Sequence, residues 1–169
     1  MSVEGPNIEV VSVDFATGQM AGGAGKLIAD DVGANTQPEW SPDGKFVFYV
    51  SQSIAARLRR PILRIRELGT GMVREITPQL SVIWDKTWSP DGKFYAVGGA
   101  DLLERNGLFL VNAETGELSL LAPRAGFATW SPDGQWIAFV SNRTPERCTR
   151  TRSQPHCASF WVLTTANTI

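Results

Sequence analysis

The sequence predicts an all-β fold made of one repeated antiparallel unit, and three observations predict it. The pentapeptide Trp-Ser-Pro-Asp-Gly occurs at residues 40–44, 88–92 and 130–134. Pro sets the φ that the second position of a tight turn needs, Asp bonds its own backbone and Gly takes the left-handed conformation that reverses the chain. Each copy therefore reads as a hairpin tip. Each tip is followed by an apolar run without polar alternation, at 46–50, 94–97 and 136–140, as expected of a short strand buried on both faces. The tip tryptophans Trp40, Trp88 and Trp130 stand 48 and then 42 residues apart, a period that suits one four-stranded propeller blade. The predicted class is a β-propeller of four-stranded antiparallel blades, with about three to three and a half blades in the chain and the ring incomplete.

Taken in order, residues 8–30 form a half blade, with a strand at 8–16 and another at 26–30. The segment Gly22-Gly23-Ala24-Gly25-Lys26 between them resembles a phosphate loop only superficially, because Met20 and Leu27 hold the two positions that test the motif; it reads as a hairpin loop. Blade 2 spans 37–77 with strands near 37–41, 45–52, 61–68 and 72–77. Blade 3 spans 83–122 with strands near 83–89, 93–98, 107–113 and 117–122. A second recurring element supports this phase: the strands at 11–18, 64–71 and 109–116 all end in Thr-Gly, at Gly18, Gly71 and Gly116, the composition of a turn. Blade 4 covers 126–165, with strands near 126–131 and 135–141, a long loop, and a third strand at 158–165 that carries a weaker copy of that element. Gly98-Gly99 stands where the other copies have Val-Ser, predicting a strand that ends early or a close approach of another backbone.

Trp-Ser-Pro-Asp-Gly followed by an aromatic-aliphatic run and Ser resembles the WD-like repeat of TolB-type β-propellers, most closely over Trp130–Ser141. The resemblance extends from about residue 8 to 165. Similar blades occur in the propeller domains of prolyl-oligopeptidase-type peptidases and in bacterial sensor proteins, so it implies a fold more firmly than an activity. It also implies a periplasmic or otherwise extracytoplasmic home.

Trp40, Trp88 and Trp130 share one repeat position, which assigns them to packing between neighbouring blades. Of the unmatched Trp84, Trp136 and Trp161, all but one are expected in the core. Asp43, Asp91 and Asp133, with Gly44, Gly92 and Gly134, have a sufficient role inside their own turns and are not read as a carboxylate cluster. One histidine, His156, and no Gly-x-Ser-x-Gly or His-Glu-x-x-His motif argue against a catalytic reading and imply no cofactor. The two cysteines, Cys148 and Cys157, both fall in the long loop of blade 4. Their spacing permits a disulfide across a hairpin base, which would mark an oxidising compartment; two free thiols are the next reading. A metal held by Cys148, His156 and Cys157 would lack a fourth ligand, so no metal is expected.

With 43% apolar residues and a net charge of -1, the chain belongs to the globular class and has no global electrostatic reason to bind nucleic acid. No apolar stretch approaches a membrane span, and the N-terminal residues lack a signal-peptide pattern. Strand order places the loops between second and third strands on one face of the disc. They carry Arg57, Arg59 and Arg60 in blade 2 and Arg143, Arg147, Arg150 and Arg152 in blade 4, whereas the tips opposite carry Asp43, Asp91, Asp133 and Glu114. The arginine face is the candidate surface for an acidic protein or peptide partner, although solvated loops explain the same charges. The expected function is a non-catalytic binding module; the alternative is the propeller domain of a larger enzyme such as a peptidase. Closed propellers need about four to eight blades, so the chain is expected either to belong to a longer propeller or to pair with a second copy.

Overall fold

The computed structural model of the chain describes residues 6–23, 25–28, 33–53 and 60–141, and the strand at 159–164. Among them are fifteen strands and no helix. The N-terminal partial blade has β1 (Ile8–Val10), β2 (Val13–Asp14), β3 (Gln19–Met20) and β4 (Gly25–Ile28). β1 pairs with β4 and β2 with β3, all antiparallel. The single strand expected over 8–16 is thus broken at Val11-Ser12, and its partner is broken by Gly22-Gly23. Residues 9–23 are exposed, so no neighbouring sheet holds a continuous ladder straight.

Blade 2 is β5 (Gly33–Trp40), β6 (Phe46–Ser53), β7 (Pro61–Glu67) and β8 (Val73–Ile76). Blade 3 is β9 (Leu80–Trp88), β10 (Phe94–Asp101), β11 (Asn106–Asn112) and β12 (Leu118–Pro123). Each is a four-stranded antiparallel meander in chain order. Blade 4 has three strands in order, β13 (Ala125–Trp130), β14 (Trp136–Ser141) and β15 (Ser159–Thr164). No sheet among the described residues closes the ring.

The tips form by one mechanism repeated three times. Ser41 Oγ donates to Asp43 Oδ1 at 2.6 Å and accepts from Phe46 N at 2.9 Å, while Lys45 N donates to the same Asp43 oxygen at 3.1 Å. Gly44 N closes the turn onto Ser41 O at 2.9 Å with φ +70. Ser89 and Asp91, and Ser131 and Asp133, repeat the arrangement. The side-chain bonds hold each carboxylate below its ordinary pKa, through Ser41 first at Asp43 and Ser131 first at Asp133. At Asp91 burial works in the opposite direction, and the bonds from Ser89 and Lys93 outweigh it.

The apolar runs after the tips are buried on both faces because blades stack like pages. Phe48, Val50, Leu63 and Ile65 of blade 2 meet Leu80, Ile83, Tyr95 and Val97 of blade 3. The opposite face of β6 offers Val47 and Tyr49 to Ile8 and Ile28 of the partial blade. Ala96, Leu108 and Leu110 of blade 3 meet Ile137 and Phe139 of blade 4. Burial of each large apolar side chain contributes about 1.5–3 kcal/mol. Trp88 sits edge-on to Tyr95 at 4.6 Å, and Tyr95 stacks on Phe48 at 4.0 Å.

The tryptophans depart from expectation. Trp88 and Trp130 pack against the blade that precedes them, but Trp40 is 51% exposed, with no described core cluster packed against it. Trp136 is exposed on the face of β14 that no described sheet covers, and Trp84 is exposed beside blade 4. Trp161 lies in a strand whose backbone alone is described. At Gly98-Gly99 the strand does not end early: β10 runs to Asp101. The close approach is present, since a Cβ on Gly98 would lie 2.0 Å from Asp85 Oδ1, and one on Gly99 would lie 2.3 Å from the Val82 carbonyl oxygen.

Candidate functional site at the seam of blades 3 and 4

The first strands of the blades touch in sequence, β5 with β9 and β9 with β13, and side chains tie them together. Gln37 Nε2 donates to Trp84 O at 3.3 Å, Glu39 Oε1 accepts from Trp88 N at 3.1 Å, and Asp85 Oδ2 accepts from Ala128 N at 3.3 Å. Glu39 also accepts from Thr87 Oγ1 at 3.2 Å and Lys86 Nζ at 3.4 Å. Lys86 further donates to Phe48 O at 3.3 Å and lies 3.9 Å above the Phe48 ring. Its side chain is 2% exposed, and burial lowers its pKa to about 8 against the raising effect of Glu39.

Between blades 3 and 4 these inner strands leave a cleft of about 410 Å³, lined by Trp84, Asn106, Arg124, Ala125, Gly126, Phe127 and Val140. The pairing of β13 with β14 shifts between Gly126 and Thr129, a bulge that re-aims the residues inside it. Phe127 has φ +52 and Arg124 has φ +55. Left-handed backbone at a bulky non-Gly residue costs about 1–3 kcal/mol and persists where the surroundings impose it. Two such residues therefore border one cleft. Phe127 is 70% exposed and Trp84 44%, presenting two aromatic surfaces to solvent. Arg124 is exposed and has no ion pair among the described residues, whereas the nearby Arg105 is held by Asp101 at 2.7 Å.

Of the arginines expected to form a basic surface, Arg60 is described: it is exposed immediately before β7, at the same ends of the strands as the cleft. Arg57, Arg59, Arg143, Arg147, Arg150 and Arg152 lie outside the described residues, as do His156 and the Cys148–Cys157 pair. Asp43, Asp91 and Asp133 each stay in their own turn. No group of three His, Cys, Asp or Glu able to hold a metal occurs among the described residues. Sequence reasoning missed Trp84, Arg124 and Phe127 as a set. One signal was available: three residues before the tip tryptophan, the repeats carry Gln37, Asp85 and Phe127, and an aromatic at an otherwise polar position marks a departure from the repeat.

No family model matches the sequence. Among solved structures the chain is similar to TolB from Acinetobacter baumannii, with 22% identity and a TM-score of 0.62 over 94% of this chain and 35% of that protein. It is similar to the β-propeller domain of the Trilobed protease from Pyrococcus furiosus, with 18% identity and a TM-score of 0.56 over 79% of this chain and 40% of that one. It is also similar to an oligogalacturonate lyase from Vibrio parahaemolyticus, with 16% identity and a TM-score of 0.57 over 71% and 36% of the two chains. The chain thus spans well under half of each. The fold is that of a partial TolB-like β-propeller.

Proposed function

We propose that this run of TolB-like propeller blades is a non-catalytic binding module that holds a protein or peptide segment at the Trp84–Phe127 cleft. The observation that carries the reading is one cleft lined by two exposed aromatic side chains, Trp84 and Phe127, and the exposed Arg124. Gln37 takes the same left-handed φ inside the matching bulge of β5, so the backbone belongs to the repeat and what blade 4 adds at that position is an exposed aromatic side chain. Exposed aromatic anchors beside a guanidinium with no ion pair among the described residues suit a segment that combines an apolar side chain with a carboxylate. Arg60 and the loop arginines Arg57, Arg59, Arg147, Arg150 and Arg152 extend the same basic character and favour an acidic partner through faster encounter. An extracytoplasmic location agrees with this reading and with a Cys148–Cys157 bridge.

A second reading, the gating or docking propeller of a larger enzyme, is favoured by the similarity to the propeller domain of the Trilobed protease. Phe127→Gly separates a binding role from a structural one. The change relieves backbone strain, so the melting temperature is expected to hold or rise. Affinity for an acidic peptide carrying Phe, measured by fluorescence anisotropy, is expected to fall at least tenfold. A stable variant with unchanged affinity would remove the cleft as the binding site.

A further inference from the structure

We propose that Asp85 is the residue that positions Phe127: it reaches across the seam from blade 3 and holds the bulge of β13 from which that ring projects. The inference rests on the reading of the cleft given above, and adds to it a residue that does not itself line the cleft.

Three departures from the repeat converge on this one carboxylate. The first is Gly98, which stands where the second strands of blades 2 and 4 carry Val50 and Val140 and which is the cross-strand partner of Asp85. A Cβ on Gly98 would lie 2.0 Å from Asp85 Oδ1, and one on Gly126 would lie 3.4 Å from the same oxygen and 3.9 Å from Gly98 Cα. The two glycines thus face each other across the seam, and the Asp85 side chain fills the slot between them. A valine at position 98 would occupy that slot. The second departure is Asp85 itself. Its counterpart Gln37 donates to the next blade through Nε2, whereas Asp85 has only acceptors to offer.

The third departure lies in the backbone that the carboxylate meets. β13 pairs with β14 at Gly126 and again at Thr129, so Phe127 and Ala128 fall outside the paired register. Asp85 Oδ2 accepts from Ala128 N at 3.3 Å. Blade 2 builds the matching bulge between Thr36 and Glu39 with Pro38 at the place of Ala128. Proline has a fixed φ and no N–H to satisfy. Blade 4 has alanine there and must find an acceptor for that N–H outside the paired register, and the slot delivers Asp85 to it. The bond is made at the residue next to Phe127, which is 70% exposed and so has little packing of its own to fix it. A ring held in place before the ligand arrives loses less freedom on binding.

Amide exchange at Ala128, followed by NMR on the full chain, reads the bond without any ligand. Asp85→Ala is expected to speed it about tenfold, while the paired amides of β13 and β14 and those of blade 2 keep their rates. Gly98→Ala, whose methyl takes the space of the carboxylate, is expected to do the same with Asp85 present and to add nothing in the Asp85→Ala chain. Asp85→Asn is expected to restore slow exchange. Asp85 Oδ1 is buried without a hydrogen-bond partner among the described residues, so an amide can keep its oxygen on Ala128 N and give up no other bond. Affinity for the acidic peptide carrying Phe should follow the same order, falling about tenfold in Asp85→Ala and in Gly98→Ala and returning in Asp85→Asn. The proposal is overturned if Asp85→Ala leaves Ala128 exchange or peptide affinity unchanged, if Asp85→Asn behaves as Asp85→Ala does, or if exchange speeds up throughout blade 4 rather than at the bulge. Exchange that follows the expected order in a chain that does not bind the peptide would support the positioning of Phe127 and remove the cleft as the binding site, so the two readings fail separately.

Discussion

Replacing Lys86 with Met is expected to stabilise the protein at neutral pH, and to do so in a pH-dependent way. Lys86 carries its charge between blades 2 and 3 with 2% of its side chain exposed, and burial lowers its pKa from 10.5 to about 8. At about 1.4 kcal/mol per pH unit, keeping the proton on the folded chain at pH 7 costs about 3 kcal/mol relative to the unfolded chain. Met fills similar volume along Phe48 without that cost. Glu39 is not stranded by the change, since it keeps its bonds from Trp88 N and Thr87 Oγ1 and is 28% exposed. Losing the donor to Phe48 O and the contact with its ring returns about 1–2 kcal/mol. The net gain is about 1–2 kcal/mol. Between pH 8 and 10.5 the unfolded chain holds the Lys86 proton and the folded chain does not, so parental stability rises with pH, by about 2 kcal/mol at pH 9.5. Near pH 10 the rise is opposed by Tyr95, whose phenol burial pushes well above its ordinary value; the unfolded chain then loses that proton first. Urea midpoints followed by tryptophan fluorescence at pH 7 and 9.5 test this. A Met variant less stable than the parent by more than about 2 kcal/mol at pH 7, or a gap that does not change with pH, would refute the argument.

Four further outcomes can be tested. Asp91→Ala removes the acceptor for Ser89 Oγ and Lys93 N and is expected to cost about 1–2 kcal/mol in chemical unfolding. Because the tip carboxylates titrate below their unfolded values, the stability they contribute is complete above about pH 4 and is lost as pH falls through their folded pKa values; an acid titration of the parent that is flat between pH 5 and 2 would contradict this. Gly99→Ala should destabilise by about 3 kcal/mol and more than Gly98→Ala, because its new methyl meets backbone rather than a carboxylate that can move; thermal melts of the two variants rank them. Mass spectrometry of non-reduced, denatured protein is expected to find Cys148 and Cys157 bonded, and two alkylatable thiols would remove both the bridge and the argument for an oxidising compartment.

The blades were legible because their signals are local. Each tip needs Ser, Pro, Asp and Gly at fixed offsets; Pro fixes the turn's φ, and Ser, Asp and Gly make their bonds within the pentapeptide or to the two residues that follow it. Gly98-Gly99 was legible as a close approach for the same reason, although what approached was Asp85 and Val82, which no local pattern names. Trp40 was misread, and one exposed tryptophan was allowed for among Trp84, Trp136 and Trp161 where two are found, because the burial of a side chain on a sheet face depends on whether another sheet covers it. Trp88 and Trp40 occupy one repeat position, yet Trp88 is packed against blade 2 while Trp40 is half exposed. The Trp84–Phe127 cleft was hidden more deeply. Left-handed φ at Phe127 lies inside a bulge of β13 and that of Arg124 in the one-residue turn between β12 and β13; the aromatic at position 127 is visible in the sequence, but the cleft it borders is not.

The side-chain ties between β5, β9 and β13 have a consequence for how such a chain can change over time. Tips and outer turns are so alike that unequal recombination between copies would join them without disturbing a single hairpin. The inner strands are not interchangeable: an amide from Gln37 and a carboxylate from Glu39 couple blade 2 to blade 3, and Asp85 couples blade 3 to blade 4. A blade moved out of its place would face a neighbour with its donors and acceptors out of step, leaving desolvated polar groups at about 1–3 kcal/mol each. Neighbour order is therefore written along the innermost edge, where each unit carries a key cut for the next.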